Sequence, residues 1–199
     1  MNARPTVLMT SAFGRVAFEI ALDAVPQCGS YILNHVKKGT FGEQNRSSIY
    51  RLLNSIEHAQ EYSEYKIDIV QFGIAQSWET EADFPEFCKA HETTRDSGLT
   101  HKRGTVSMAR SELGTNCTEL FICIKDAPEL DFAGHRHDDG HGFVAIGQVV
   151  EGMDVIDRLW EAASAEEFLP DPIPITLQMG GTQEDQGEAD MQRHEDRDD

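Results

Sequence analysis

Apolar and polar residues alternate along much of this chain, which is the pattern of β-strands that are buried on one face. A short apolar segment at 6–9 is followed by a turn and then by a segment in which every second residue is large and apolar: Val16, Phe18, Ile20 and Leu22. Similar segments at 47–53, 66–73, 142–149 and 174–179 predict further strands. The chain is therefore predicted to be mainly β.

Two segments have the spacing of three and four residues that is typical of amphipathic helices. The first begins at Pro26, because proline is tolerated in the first turn of a helix, and it ends before Gly39. The second follows Glu-Gly-Met-Asp at 151–154 and has three apolar residues on one face: Val155, Ile156 and Leu159. We expect this face to be buried.

The centre of the chain is a predicted hairpin of two strands, Thr105–Ala109 and Glu119–Ile124, joined by a polar loop with Gly114 and Asn116 as turn residues. Side chains alternate between the two faces of a strand, so Phe121 lies on the face opposite the leucine and isoleucines of its strand. On local sequence alone, Phe121 is interpreted as a core residue of a strand that is buried on both faces.

Length and composition fit a single domain, since 199 residues with 39% hydrophobic content can form one substantial core. The net charge of -18 argues against nucleic acid or an anionic membrane as a partner, because both require a basic face. No apolar run approaches the length of a transmembrane helix. Residues 182–199 are mostly polar and acidic, so we expect a disordered acidic tail after a domain at 1–181.

The four cysteines, at positions 28, 88, 117 and 123, have no spacing that is typical of a zinc site. A chain with a core of this size does not need a disulfide framework, so reduced thiols are expected. The N-terminus leads almost directly into a predicted strand, without the charged and apolar segments of a secretion signal. These features favour a cytoplasmic protein, and we expect a monomer.

Several separated motifs resemble the cyclophilin family of peptidyl-prolyl isomerases. They are Gly-Arg-Val-Ala-Phe-Glu-Ile at 14–20, Gly-Thr-Val-Ser-Met-Ala at 104–109, Gly-Thr-Asn at 114–116 and Glu-Gly-Met-Asp at 151–154. The resemblance covers about residues 6–180 and keeps the motifs in the family's order. It implies a closed eight-stranded antiparallel β-barrel capped by two α-helices, and a reaction that uses no cofactor and no metal.

Two residues would carry the activity that this resemblance implies. Ile-Tyr-Arg-Leu at 49–52 is similar to the family's segment with the catalytic arginine, so Arg51 is expected in that role. Gln71 stands before Gly73 at the end of a strand and matches the glutamine that positions the arginine and binds substrate. Without the resemblance, Arg51 would be interpreted as a solvated arginine on a strand.

A guanidinium is chemically suited to this reaction. Rotation about an amide bond has a barrier of roughly 18–20 kcal/mol because the nitrogen lone pair is conjugated with the carbonyl group. A fixed donor aimed at the prolyl nitrogen stabilises the twisted amide, whose lone pair has become basic, more than the planar one. Arginine stays charged and presents a planar set of N–H donors, so it can serve as this donor.

The resemblance also implies a set of substrate-binding residues: Ile69, Ala109, Arg110, Glu119, Phe121, Leu130 and Phe143. Phe121, Leu130 and Ile69 would receive the proline ring. The backbone of Ala109 would pair with the bound peptide.

Several positions depart from the family's pattern: among those around the pocket, Asp68 replaces a phenylalanine, Ile69 a methionine, Arg110 an asparagine, Glu119 a glutamine, Glu129 a tryptophan and Phe143 a histidine. Three of the new side chains are acidic, so the resemblance implies proline-containing substrates that are basic rather than neutral.

A second hypothesis is a non-catalytic cyclophilin-fold module that binds proline-containing peptides without turnover. Arg51 and Gln71 distinguish the two hypotheses, since a module that only binds has no need to keep that pair.

A third hypothesis concerns His135–His141, which contains three imidazoles and two carboxylates that could bind zinc or nickel. The alternative is a solvated turn, for which Asp-Asp-Gly is ordinary chemistry. All these groups lie on one loop rather than on rigid elements, so we predict no metal site.

Overall fold

Eight antiparallel β-strands close into a barrel in the computed structural model, which describes residues 3–42, 47–61, 63–74, 86–162 and 166–181. The strands are β1 (Thr6–Ser11), β2 (Gly14–Ile20), β3 (Ser48–Leu53), β4 (Ile69–Gly73), β5 (Thr105–Met108), β6 (Glu119–Cys123), β7 (Val144–Glu151) and β8 (Phe168–Met179). Their order around the barrel is β1-β2-β7-β5-β6-β4-β3-β8, and β8 pairs with β1 to close it. The predicted fold class is confirmed.

The described part of the chain also has three α-helices: α1 (Pro26–Lys37), α2 (Thr94–Ser97) and α3 (Met153–Glu161). The two longer helices are the predicted ones, and α3 buries the expected stripe of Val155, Ile156 and Leu159. It packs against β2 and β4, whereas α1 packs against β7 and β8. Among the described residues, no helix is long and apolar enough to cross a lipid bilayer.

The two faces of β6 contribute to two different apolar clusters, as the alternation of its side chains predicts. Leu120 and Ile122 belong to the large cluster that fills the barrel. Phe121 and Cys123 belong to a smaller cluster on the opposite face of the strands. Its members are Leu53, Ile67, Ile69, Phe121, Cys123, Ala127 and Leu130, with Ala109 and Phe143 packed against them. This second cluster gives the barrel wall an apolar outer surface.

Gly73 ends β4 in a conformation that a larger residue could not adopt. Its φ is +119°, and a Cβ atom there would lie 2.1 Å from the Thr118 carbonyl oxygen. The glycine therefore allows β4 to approach the start of β6 closely, which places Gln71 opposite Phe121 in the sheet.

The last strand begins six residues earlier than the sequence predicts, at Phe168 instead of Pro174. The sequence pattern is broken there by prolines at 170, 172 and 174, which have no N–H to donate to a neighbouring strand. The prolines occupy every second position, so the N–H groups of the residues between them all point to the same side of the strand. The predicted tail at 182–199 lies outside the described residues.

Candidate active site

A cleft of about 320 Å³ lies over the second apolar cluster, on the outer faces of β3, β4 and β6. Six apolar side chains line it: Leu53, Ile67, Ile69, Phe121, Leu130 and Phe143. Polar and small residues complete the lining, among them Arg51, Gln71, Ala109, Arg110 and Glu119. All nine residues that the sequence predicts for the site are therefore brought together in one cleft.

Arg51 and Gln71 face each other across the β3–β4 pair, where the strand register places them opposite one another. The Arg51 Nη1 donates to Gln71 Oε1 at 3.3 Å. The Gln71 Nε2 donates to the Tyr50 hydroxyl at 2.8 Å and lies 3.5 Å from Glu119 Oε2. A β-bulge between Ile49 and Arg51 lets the adjacent residues Tyr50 and Arg51 both reach Gln71.

Arg51 has a second anchor that the sequence analysis does not identify. Its Nη2 donates to Glu167 Oε2 at 2.8 Å, and both side chains are about 20% exposed. The guanidinium carbon also lies 4.9 Å from the centre of the Phe168 ring. Glu167 and Phe168 stand at the start of β8, in the part of the strand that the prolines obscure in the sequence.

Phe121 forms the floor of the cleft and is held by two aromatic neighbours. His101 stacks on it with ring centres 6.1 Å apart, and Phe143 meets it edge-on at 5.8 Å. The buried His101 is itself held by Asp131 at 2.7 Å and by the Ser107 hydroxyl at 2.9 Å. Phe121 is thus fixed from behind by a hydrogen-bonded histidine, which the sequence analysis does not identify.

Arg110 lines the cleft, but its guanidinium bonds to neighbouring protein groups. It donates to both carboxylate oxygens of Asp139 at 2.8 Å and to the Gly142 carbonyl at 2.7 and 2.9 Å. The side chain is fully buried, and hydrogen bonding to Arg110 holds the pKa of Asp139 well below its usual range. Arg110 therefore fastens the segment before β7 to the end of β5.

Two of the acidic residues expected to influence substrate choice lie outside the cleft lining. Asp68 accepts from the Ser55 backbone N–H at 2.7 Å and from Lys125 at 3.2 Å. The prediction that Asp68 is a pocket residue is wrong. Ile67 shares the strand face of Ile69, whereas the Asp68 side chain points to the other side. Glu129 instead accepts from the backbone N–H of His135 at 3.3 Å. Glu119 does line the cleft.

The histidine-rich loop does not assemble a metal site within the part of the chain that the structure describes. No group of three or more His, Cys, Asp or Glu side chains there could hold a metal ion. His137 contacts the Ser111 carbonyl at 2.8 Å, and the His141 ring meets Phe132 at 6.1 Å. These contacts fit the interpretation of the loop as an ordinary turn that closes over the end of β5.

Several lining residues are missing from the sequence-based set: Leu53, Ile67, Ser111, Thr115, Cys117 and Arg136. Leu53 and Ile67 could have been found, because each stands two residues from a predicted site residue and so shares its strand face. The other four lie on loops or next to strand ends, where no periodicity indicates their direction.

Comparison with known proteins gives a family match over nearly the whole domain. The model of the family described as "Cyclophilin type peptidyl-prolyl cis-trans isomerase/CLD" matches residues 6–178. Peptidyl-prolyl cis-trans isomerase B of Escherichia coli is 32% identical over 80 residues, which are 40% of this chain and 48% of that protein. Peptidyl-prolyl cis-trans isomerase A of Dickeya dadantii is 42% identical over 65 residues, or 32% of each chain. The aligned regions thus span less than half of these relatives.

Solved structures show the same fold at low sequence identity. A cyclophilin type peptidyl-prolyl cis-trans isomerase of Cryptosporidium parvum aligns with a TM-score of 0.63 at 16% identity, covering 90% of this chain and 99% of that one. Its structure in the presence of the dipeptide Ala-Pro aligns with a TM-score of 0.65 at 16% identity, covering 89% and 99%. With the family match over residues 6–178, the chain belongs to the cyclophilin type peptidyl-prolyl cis-trans isomerase family.

Proposed function

We propose that this protein catalyses cis/trans isomerisation of Xaa-Pro bonds in proteins and so assists their folding. One observation carries the proposal: the Arg51 guanidinium is hydrogen-bonded to Gln71 beside an apolar cleft whose floor is Phe121. Such a cleft suits the apolar proline ring, and the guanidinium beside it supplies a charged donor for the prolyl nitrogen.

The reaction then requires only binding and electrostatic stabilisation. Phe121, Leu130 and Ile69 hold the proline ring, while Arg51 donates to its nitrogen as the amide twists and loses conjugation. The Ala109 N–H already donates to the Glu119 carbonyl at 2.8 Å, so we assign the pairing with the peptide backbone to the Ala109 carbonyl oxygen. No covalent bond is made or broken in this reaction.

The substrates are proposed to be proline-containing peptides or proteins. A preference for basic substrates is supported by a different set of acidic residues from the one that the sequence suggests. The set consists of Glu119 in the cleft lining and Glu167 beside Arg51. We further propose a monomer, because barrel closure pairs both edges of each described strand. The four cysteines are free thiols, which supports a reducing compartment such as the cytoplasm.

Exchange NMR on short Xaa-Pro peptides tests the proposed activity. Uncatalysed interconversion takes roughly tens to hundreds of seconds, so catalysis appears as new cross-peaks between the cis and trans signals. Wild type and Arg51→Ala are compared, each with a neutral peptide and with the same peptide flanked by lysines. We expect cross-peaks with wild type and a loss of about a hundredfold in the Arg51→Ala exchange rate.

Two other outcomes would contradict the proposal. Shifts of the peptide signals without exchange would show a non-catalytic peptide-binding module, the second hypothesis drawn from the sequence. Exchange that is equal in wild type and Arg51→Ala would remove Arg51 from the mechanism. A faster rate on the lysine-flanked peptide would support the basic preference, whereas a slower one would contradict it.

A further inference from the structure

We infer that Glu167 is the positioning residue that fixes the orientation of the Arg51 guanidinium, a role that the resemblance to the family assigns to Gln71. The inference builds on the proposed isomerase function and concerns the same site. It follows from three contacts between β3 and the start of β8, namely a backbone hydrogen bond at Leu52 and an ion pair and a ring contact at Arg51.

The backbone fixes Glu167 beside Arg51 before any side-chain contact is considered. The Leu52 N–H donates to the Glu167 carbonyl oxygen at 2.8 Å, and Arg51 pairs with Phe168 in the β3–β8 register. The carboxylate is therefore carried by an element that is joined to β3 at the neighbouring position. A side chain that is placed in this way can hold its partner with little freedom of its own.

The ion pair is the stronger of the two anchors on the guanidinium. The bond from Arg51 Nη2 to Glu167 is 2.8 Å long and joins two charges, whereas the bond from Nη1 to the neutral Gln71 is 3.3 Å long. Both bonds have an ionised donor, but only the bond to Glu167 also has a charged acceptor, which adds a Coulombic attraction between the two groups. Both ionic side chains are also largely shielded from water, at about 20% exposure each, so solvent screens the pair less than at an open surface.

The Phe168 ring limits rotation of the guanidinium in the remaining direction. The Arg51 Cζ atom lies 4.9 Å from the ring centre, within the distance at which an aromatic ring attracts a cation. The guanidinium is planar, so an ion pair at one nitrogen, a hydrogen bond at a second and a ring contact together define its plane. A donor held in this way can stabilise the twisted amide without reorganising as the reaction proceeds.

Two substitutions separate orientation from charge. Glu167→Gln keeps an oxygen at the same distance that can accept from Arg51, whereas Glu167→Ala removes the acceptor. We expect Glu167→Ala to lower kcat about tenfold with KM within about twofold, because the donor is misplaced while the apolar pocket is intact. Glu167→Gln, which keeps an acceptor but loses the charge, should have a kcat between those of wild type and Glu167→Ala. Asp171→Ala, which removes an exposed carboxylate from the same strand, is the matched control and should behave as wild type.

A measurement that does not depend on catalysis distinguishes this inference from the proposed function. Side-chain ¹⁵N relaxation of Arg51 reports the mobility of its guanidinium in each variant. This mobility should rise most in Glu167→Ala and less in Glu167→Gln. If wild type shows no catalysis, the proposed function fails, and the relaxation data still decide whether Glu167 orients Arg51. Equal Arg51 mobility in wild type and Glu167→Ala would overturn the inference, as would equal losses of kcat in Glu167→Gln and Glu167→Ala.

Discussion

The Gln71 amide points its oxygen at Arg51 and its nitrogen at Tyr50. A guanidinium can only donate and therefore requires the amide oxygen, while the buried Tyr50 hydroxyl, which can also accept, takes the hydrogen bond from Gln71 Nε2 at 2.8 Å. Burial and the nearby Glu119 carboxylate raise the pKa of Tyr50 well above its usual range. The hydroxyl therefore stays protonated at neutral pH, and no phenolate competes for the Arg51 charge.

The substitution Tyr50→Phe is expected to lower kcat a few-fold and the free energy of unfolding by about 1 kcal/mol, because Gln71 Nε2 loses its buried acceptor. Tyr31→Phe is the matched control. Its hydroxyl also makes a 2.8 Å hydrogen bond, to the Glu86 carbonyl, but it contributes nothing to the cleft lining. Tyr31→Phe should change stability without changing kcat. The orientation argument fails if both variants have the same kcat in the peptide exchange assay.

Strands whose alternation is regular were predicted together with the direction of their side chains. Phe121, Ile69 and Gln71 reach the cleft because a period of two sends alternate residues to one face. The resemblance places Asp68 in the pocket wrongly. The same period of two directs its side chain to the opposite face from Ile69 and Gln71. Glu167 could not be found, since prolines hide the start of β8 and its partner Arg51 is 116 residues away in sequence. Long-range side-chain pairs leave no local pattern.

A buried arginine helps to fasten the segment between Leu130 and β7 to the barrel. Arg110 bonds to Asp139 and to the Gly142 carbonyl, and its guanidinium lies 5.4 Å from the Phe143 ring that borders the cleft. The position of Phe143 therefore depends on an ion pair on the far side of its ring. Since hydrogen bonding to Arg110 lowers the pKa of Asp139, the pair should also make this segment sensitive to acid.

Asp139→Asn tests this dependence on pH. The pKa of Asp139 is lower in the folded protein than its ordinary value of 3.8, so the ion pair stabilises the fold above that pH and loses this effect as the pH falls through the folded value. We therefore expect Asp139→Asn to be less stable than wild type in urea denaturation at pH 5. The difference should shrink as the pH falls below about 4. The exposed neighbour provides the control: Asp138→Asn should stay within about 0.5 kcal/mol of wild type at each pH. A constant difference for Asp139→Asn would contradict the argument.

The barrel as a whole closes through its two terminal strands. β1 pairs with β8 from Val7 to Ser11, and the Gly180 N–H donates to the Thr6 carbonyl oxygen at 2.8 Å just past the end of β8. Among the described residues, this is the backbone hydrogen bond that lies furthest along the chain. The acidic residues that follow add to a net charge of -18, and like charges repel one another within a compact molecule.

Removal of residues 182–199 is thus expected to leave the fold and the peptide exchange rate unchanged. The shortened chain keeps every strand and every residue of the cleft, and it loses a strongly acidic segment with almost no apolar side chains to bury. Its thermal midpoint should equal that of the full chain, or exceed it slightly at low salt, where charge repulsion is least screened. Thermal unfolding of both chains at low and at physiological salt measures this difference. A large loss of stability in the shortened chain would show that the tail packs on the barrel, and it would contradict the domain limit at 181.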